Sequence, residues 1–303
     1  MELKNYDDIL KMVAGRTVKT RMAVAAAADP HTIEAAMMAA DRGMVDPYFV
    51  GDESTIKQIL KDMGKEVPAD HIIHAVELPE CAEKAVALVR EGKADFLLKG
   101  KLDTGILLKA VVNKEKGLGT GRLMSHFTFF EVPNYHKLLA AVDGGMVTYP
   151  TLEQKKEIII NTVETMRTLG VECPKVGVLA CIEKVNPKMP ETLDADALRK
   201  MNEAGEIPNC IVEGPISYDC ALRKDIADFK GLESKIAGDV DILVAPNIHA
   251  GNIMGKMFAI SVGAKMAGCI VGAKCPIAMV SRGSSAEEKF LSIVLSAAAA
   301  GTK

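Results

Sequence analysis

The sequence predicts an α/β protein whose strands form parallel sheets. Strand-length apolar runs alternate with helix-length amphipathic segments through most of the chain, the pattern of repeated βα units. Several of these runs break abruptly into glycine and polar residues just before the next helix begins. At 303 residues with 49% hydrophobic content, the chain has apolar material for a large core and a length suited to about two domains.

Taken in order, residues 22–28 read as a strand, and Asp29 or the Pro30 junction opens a helix carrying Ile33, Ala36, Met37 and Ala40. Residues 47–50 form a short strand before a helix over 54–63, and 72–76 a third strand before a helix over 81–90. A fourth strand at 95–98 ends in Lys99-Gly100-Lys101-Leu102-Asp103-Thr104-Gly105 and leads to another helix. The rhythm then changes. Residues 122–131 and 135–142 read as two strands joined at the turn Val132-Pro133-Asn134, a hairpin where one domain passes into another. A long helix over 152–169 carries Leu152, Ile159, Val163 and Met166 on one stripe. Alternation resumes with strands at 175–182, 210–213 and 241–245, the last followed by a polar loop, Pro246 to Asn252, and a helix through 257–265. Strands at 268–271 and 277–280 and a final helix close the chain, with no low-complexity linker and no repeat of fixed period.

Composition excludes several functions. A net charge of −3 argues against a nucleic-acid partner, which calls for a basic surface. The polar, acidic N-terminus opens no apolar h-region, and no uncharged apolar run reaches 18 residues, so neither a signal peptide nor a membrane span is expected. The seven cysteines contain no C-x-x-C pair and sit mostly in apolar runs, which reads as free thiols in a reducing cytoplasm.

Familiar nucleotide motifs fail. Gly117-Leu118-Gly119-Thr120-Gly121 follows a charged stretch instead of a strand, and Gly251-Asn252-Ile253-Met254-Gly255-Lys256-Met257 is one residue short of a Walker A loop and lacks its hydroxyl residue. No H-E-x-x-H occurs and the histidines do not cluster, so no metal is expected. What remains are four polar, glycine-bearing strand ends: 99–105, 213–215, 246–252 and 281–285. Ligands of open parallel sheets bind at such ends. With Lys99, Lys101, Lys256 and Arg282 nearby, they point to a site for an anionic small molecule.

Each candidate has an ordinary structural alternative. Ser285-Ala286-Glu287-Glu288 matches a capping box, so Glu288 is either a functional carboxylate or a helix cap. Asp103 fits an N-cap, His249 fits packing or capping, and Ser281 fits a strand end. Arg282, between hydroxyls and glycine ahead of a helix, suits bidentate grip on phosphate.

Several ordered stretches resemble the phosphate acetyl/butyryltransferase family across nearly the whole chain. They are Met146 to Lys155, Val185 to Ala195 (closest to the butyryl branch), Val212 to Asp219, Pro246 to Asn252, and Ser281-Arg282-Gly283-Ser284-Ser285. The resemblance implies two parallel-sheet α/β domains of the isocitrate/isopropylmalate dehydrogenase-like type with the active site in the cleft between them. The first would comprise residues 1–126 plus 275–303 and the second 127–274. It implies a homodimer, with acyl-CoA, CoA, phosphate and acyl phosphate as partners and no permanently bound cofactor; coenzyme A is a substrate. It also implies Ser281, Arg282 and Glu288 as catalytic residues, Glu288 falling where the acetyltransferases place an aspartate base. Lys99, Lys101, Thr104, Arg122 and Ser125 are candidate phosphate or CoA contacts, joined by Asn247, Gly251, Asn252 and Lys256. Departures from the family pattern are Glu for Asp at 288, Asp219-Cys220-Ala221 for Asp-Asn-Ala, and Gly255-Lys256 for an aromatic-Lys pair.

The expected reaction is acyl-CoA + phosphate ⇌ acyl phosphate + CoA with a short chain, butyryl first and acetyl as the alternative. Two other readings stand beside it. A metal- and nicotinamide-dependent dehydrogenase on the same fold needs a carboxylate cluster that the sequence does not assemble. A non-catalytic CoA- or phosphate-binding protein would have no reason to keep Ser281, Arg282 and Glu288 together.

Overall fold

The structure, a computed structural model, describes residues 2–279 and 285–301. In chain order the elements are α1 (Tyr6–Ala14), β1 (Thr20–Ala25), α2 (Pro30–Asp41), β2 (Val45–Gly51), α3 (Glu53–Asp62), β3 (Ile72–His74), α4 (Leu78–Arg90), β4 (Phe96–Lys99) and α5 (Thr104–Val111). Next come β5 (Ser125–Glu131), β6 (Leu139–Val142), α6 (Leu152–Thr168), β7 (Lys175–Leu179), α7 (Pro190–Glu203), β8 (Ile211–Ile216), α8 (Tyr218–Leu222), α9 (Lys224–Phe229), β9 (Ile242–Val244) and α10 (Ile248–Lys256). The chain ends with β10 (Lys265–Val271), β11 (Ile277–Ala278) and α11 (Ala286–Ala299). It divides into two compact units: a first, Asp7–Arg122 with Ala267–Lys303, and a second, Met1–Tyr6 with Leu123–Met266.

In the first unit the strand order is β3-β2-β1-β4-β11-β10. β2, β3, β4 and β11 each pair in parallel with a neighbour, and β10 runs antiparallel to β11, in register Cys269↔Ala278. Strands covered on both faces must be apolar throughout, and Met22, Ala23, Val24 and Ala25 of β1 are fully buried. Helices start where the sequence supplies a cap: the Asp29 carboxylate accepts the Thr32 N–H at 3.0 Å for α2, and Asp52 accepts the Thr55 N–H at 2.8 Å for α3.

In the second unit the order is β5-β6-β9-β7-β8. The expected hairpin is present: β5 and β6 are antiparallel, in register Phe129↔Ala140, and Asn134 takes a left-handed φ of 68° in the connecting turn. The remaining strands are parallel. Phe130 meets Phe258 edge-on at 5.1 Å between ring centres, within a core that also holds Leu139, Leu179, Ile216 and Leu243.

The N-terminal helix α1 was not expected, and two further segments differ from expectation. The stretch 248–252, expected as loop, is the first half of α10, because the Asn247 side chain accepts the Ala250 N–H and starts the helix early. The helix expected to reach Lys265 instead ends in a wide turn over Met257–Ser261, after which Gly263, at φ 71°, releases the chain into β10. No helix among the described residues is long and apolar enough to cross a membrane.

Candidate active site

The first unit carries a cavity of about 420 Å³ lined by Lys99, Lys101, Asp103, Asp29, His31 and Lys289, among others. It lies at the carboxyl ends of β1 and β4. β1 is flanked by β2 on one side and β4 on the other, so strand order reverses between β1 and β4. That crevice is where open α/β sheets receive ligands. Gly100 permits the geometry: a Cβ there would lie 2.4 Å from the Ala26 carbonyl oxygen, while the Gly100 and Lys101 N–H groups donate to Ala25 and Ala26. Lys99, almost fully buried, sends its ammonium to the Leu102 carbonyl oxygen at 3.1 Å. The Asp29 carboxylate accepts the Thr32 N–H and hydroxyl, and the lining carries three lysines, Lys99, Lys101 and Lys289, against two carboxylates, Asp29 and Asp103.

Of the residues proposed from sequence, Lys99 and Lys101 line this cavity. Thr104 begins α5 and its hydroxyl lies 3.5 Å from the Met279 sulfur. Arg122 is exposed, its backbone N–H donating to the Thr120 hydroxyl at 3.3 Å. Ser281 and Arg282 lie outside the described residues. Glu288 forms the capping box: its carboxylate accepts the Ser285 N–H at 3.0 Å, and the Ser285 hydroxyl accepts the Glu288 N–H at 3.1 Å. One carboxylate oxygen is used in this way, and the side chain is half-buried. Sequence reasoning missed Lys289, one residue beyond Glu288, and His31 at the start of α2. Neither belongs to a motif.

The second unit places several of its candidates where β9 leads into α10 and where β6 ends. Asn247 caps α10. Gly251 packs where no side chain fits, since a Cβ would lie 2.6 Å from the Asp143 carbonyl oxygen. The Asn252 amide donates to the Gly144 carbonyl oxygen at 3.0 Å. Ser125 is buried and accepts the Asn161 amide N–H at 3.2 Å, and Lys256 is exposed at the end of α10. Two residues not singled out from the sequence organise this edge. Asp143, 3% exposed, accepts the backbone N–H groups of His126, Gly145 and Met146, all at 2.8 Å. His126 lies beside it, and burial pushes its imidazole below the usual histidine range despite the opposing pull of the Asp143 charge.

Among the described residues two clusters have metal-binding residue types, Glu183/Asp219/Cys220 and Glu2/His136/Asp239. Each already holds an ammonium group: Lys230 lies 2.9 Å from both Glu183 and Asp219, and Lys137 lies 2.7 Å from Asp239. Cys220, at the family departure, is buried with its thiol 3.5 Å from Glu183.

Fold and strand-end geometry define an α/β protein with polar, glycine-bearing edges of the kind where open α/β sheets bind their ligands. The family model described as phosphate acetyl/butaryl transferase matches residues 75–297, and the chain belongs to that family of acyltransferases. It is 39% identical to the phosphate butyryltransferase of Clostridium acetobutylicum over 99% of this chain and 100% of that protein. It is 40% identical to the phosphate acetyltransferase of Thermotoga maritima over 96% of this chain and 98% of that protein. Among solved structures it is similar to a branched-chain phosphotransacylase from Enterococcus faecalis V583, with a TM-score of 0.81 and 29% identity, covering 93% of this chain and 99% of that one.

Proposed function

We propose that the chain catalyses acyl-CoA + phosphate ⇌ acyl phosphate + CoA with a short acyl group, butyryl ahead of acetyl. The observation that carries this reading is the cationic cavity at the strand-order reversal of the first unit, in a chain belonging to this family. The butyryl preference is supported by the stretch from Val185 to Ala195 and by the full-length similarity to a phosphate butyryltransferase.

The chemistry assigns roles to the residues. In acyl phosphate formation, a phosphate oxygen attacks the thioester carbonyl and the C–S bond breaks; in reverse, sulfur attacks and the C–O bond to phosphate breaks. A thiol with a pKa of about 8.5 is mostly protonated at neutral pH, so the reverse direction needs a base. Glu288 takes that proton through the carboxylate oxygen not used in capping. Arg282 holds phosphate through its planar fork, and Ser281 orients the thiol. Lys99, Lys101, Thr104 and Arg122 contact phosphate or CoA, and Ser125, Asn247, Gly251, Asn252 and Lys256 bind substrate. The seven free cysteines support a reducing, cytoplasmic setting. A homodimer is proposed from the family resemblance and is checked by sedimentation.

The test is thiol release from butyryl-CoA and acetyl-CoA with and without phosphate. Butyryl-CoA is expected to give the higher kcat/KM, since each methylene in an acyl pocket is worth about 1–3 kcal/mol. Phosphate-independent or absent release from both thioesters sinks the reading; a higher kcat/KM for acetyl-CoA sinks only the chain length.

A further inference from the structure

Three helices begin at the cavity of the first unit. Asp29, His31 and Thr32 stand at the start of α2, Asp103 immediately precedes α5, and Lys289 is the fourth residue of α11. The aligned peptide dipoles of a helix place about +0.5 elementary charge at its start, which favours anions there and disfavours cations. α11 follows this rule with Glu287 and Glu288 and then breaks it with Lys289. Lys289 is half-buried, and among the described residues its ammonium has no hydrogen-bond or ion-pair partner.

The other cations of the lining add to this cost. The Lys101 ammonium also has no partner among the described residues, and Lys99, almost fully buried, reaches only backbone carbonyl oxygens with the bonds from its ammonium to Gly100 and Leu102. Asp29 offsets little of this charge, since its carboxylate already accepts the Thr32 N–H and hydroxyl. Lysines from two segments far apart in sequence, the loop after β4 and the first turn of α11, thus line one cavity of about 420 Å³. Like charges gathered around one space at helix starts weaken the fold unless an anion joins them, and such breaks of local rules fall at functional sites.

We propose that Lys289 binds the phosphate substrate in this cavity, completing with Lys99 and Lys101 a set of three ammonium groups around the anion. An ammonium is a compact point charge with three donors, suited to the oxygens of phosphate. The cavity would also admit a phosphate ester such as the one on the nucleotide of CoA. Inorganic phosphate is favoured because Lys289 directly follows Glu288, the proposed base, so the anion it holds is close to the reacting centre. The inference rests on the acyl-transfer reading, which supplies phosphate as a substrate, and adds a residue to it.

Two measurements on the full-length protein test it. The first uses no thioester: thermal unfolding is followed as inorganic phosphate replaces potassium chloride at constant ionic strength. The wild-type melting temperature is expected to rise with phosphate, because a ligand that binds only the folded state stabilises it. Lys289→Met is expected to melt no lower than wild type in chloride. It is expected to need about 10–100-fold more phosphate for the same rise, the loss of one charge-assisted hydrogen bond. Lys289→Arg keeps the charge and is expected to keep most of the response. The proposal is overturned by a wild type indifferent to phosphate, by a methionine variant that responds like wild type or melts well below it in chloride, or by an arginine variant no better than methionine. The second measurement is thiol release, in which Lys289→Met is expected to raise the phosphate KM about 10–100-fold and leave the butyryl-CoA KM unchanged. A raised KM for butyryl-CoA but not for butyryl-dephospho-CoA, with the phosphate KM unchanged, assigns Lys289 to CoA and overturns the proposal. Wild type that is stabilised by phosphate through Lys289 but releases no thiol overturns the acyl-transfer reading and leaves Lys289 as a phosphate-binding residue.

Discussion

Glu288 illustrates how one side chain serves two requirements. Its capping bond to Ser285 stabilises the start of α11, yet a carboxylate has four lone-pair positions and the cap uses one. Glutamine also completes a capping box, so Glu288→Gln preserves the helix while removing the base. The expected outcome is a lower kcat with a nearly unchanged melting temperature; full activity in this variant would assign Glu288 to capping alone. Ser285→Ala removes the cap itself and is expected to cost about 1 kcal/mol, read by denaturant unfolding. The capping box was legible in the sequence because its partners are three residues apart. Lys289, His31, His126 and Asp143 were not, since each owes its position to chain segments distant in sequence.

At the scale of elements, the strand ends depend on glycines at close backbone approaches. Gly100→Ala would place a Cβ 2.4 Å from the Ala26 carbonyl oxygen and Gly251→Ala one 2.6 Å from that of Asp143, both backbone atoms that cannot rotate aside. Each is expected to lower stability by about 1–3 kcal/mol, measured by thermal or denaturant unfolding. Gly100→Ala should also raise the phosphate KM, because it displaces Lys99 and Lys101 together; an unchanged KM would remove that loop from the phosphate site. Strand and helix identities were readable from periodicity, as was the β5–β6 hairpin from Val132-Pro133-Asn134. The extent of α10 was misjudged because its polar opening, Asn247 to Asn252, looks like a loop until the Asn247 cap is seen.

For the whole molecule, accessibility sorts the seven cysteines. Cys173 and Cys181 are exposed, while Cys81, Cys220, Cys269 and Cys275 are buried. Burial pushes the Cys210 and Cys269 thiols up to about 12, far from the reactive thiolate form. Brief alkylation of native enzyme, followed by peptide mass spectrometry, should label Cys173 and Cys181 first; early labelling of Cys269 would contradict the packing. Acid sensitivity has a local source as well. Hydrogen bonds from Ser217 and then Lys230 hold the Asp219 carboxyl at about 2, below its ordinary 3.8. Its stabilising contribution is complete above about pH 4 and is lost as pH falls toward 2. The group is partly solvated, so the effect is screened, but Asp219→Asn should flatten the unfolding curve in that window.

The sequence by itself determined the α/β class, most of the succession of elements and the family, because these depend on local periodicity and on motifs read in order. The tertiary structure alone decided which strand ends lie together. It brought Lys289 beside Lys99 and Lys101, set Gly251 against Asp143, and put the Thr128 hydroxyl on the His126 ring. Such neighbours are chosen by strand order and register, which a linear pattern does not encode.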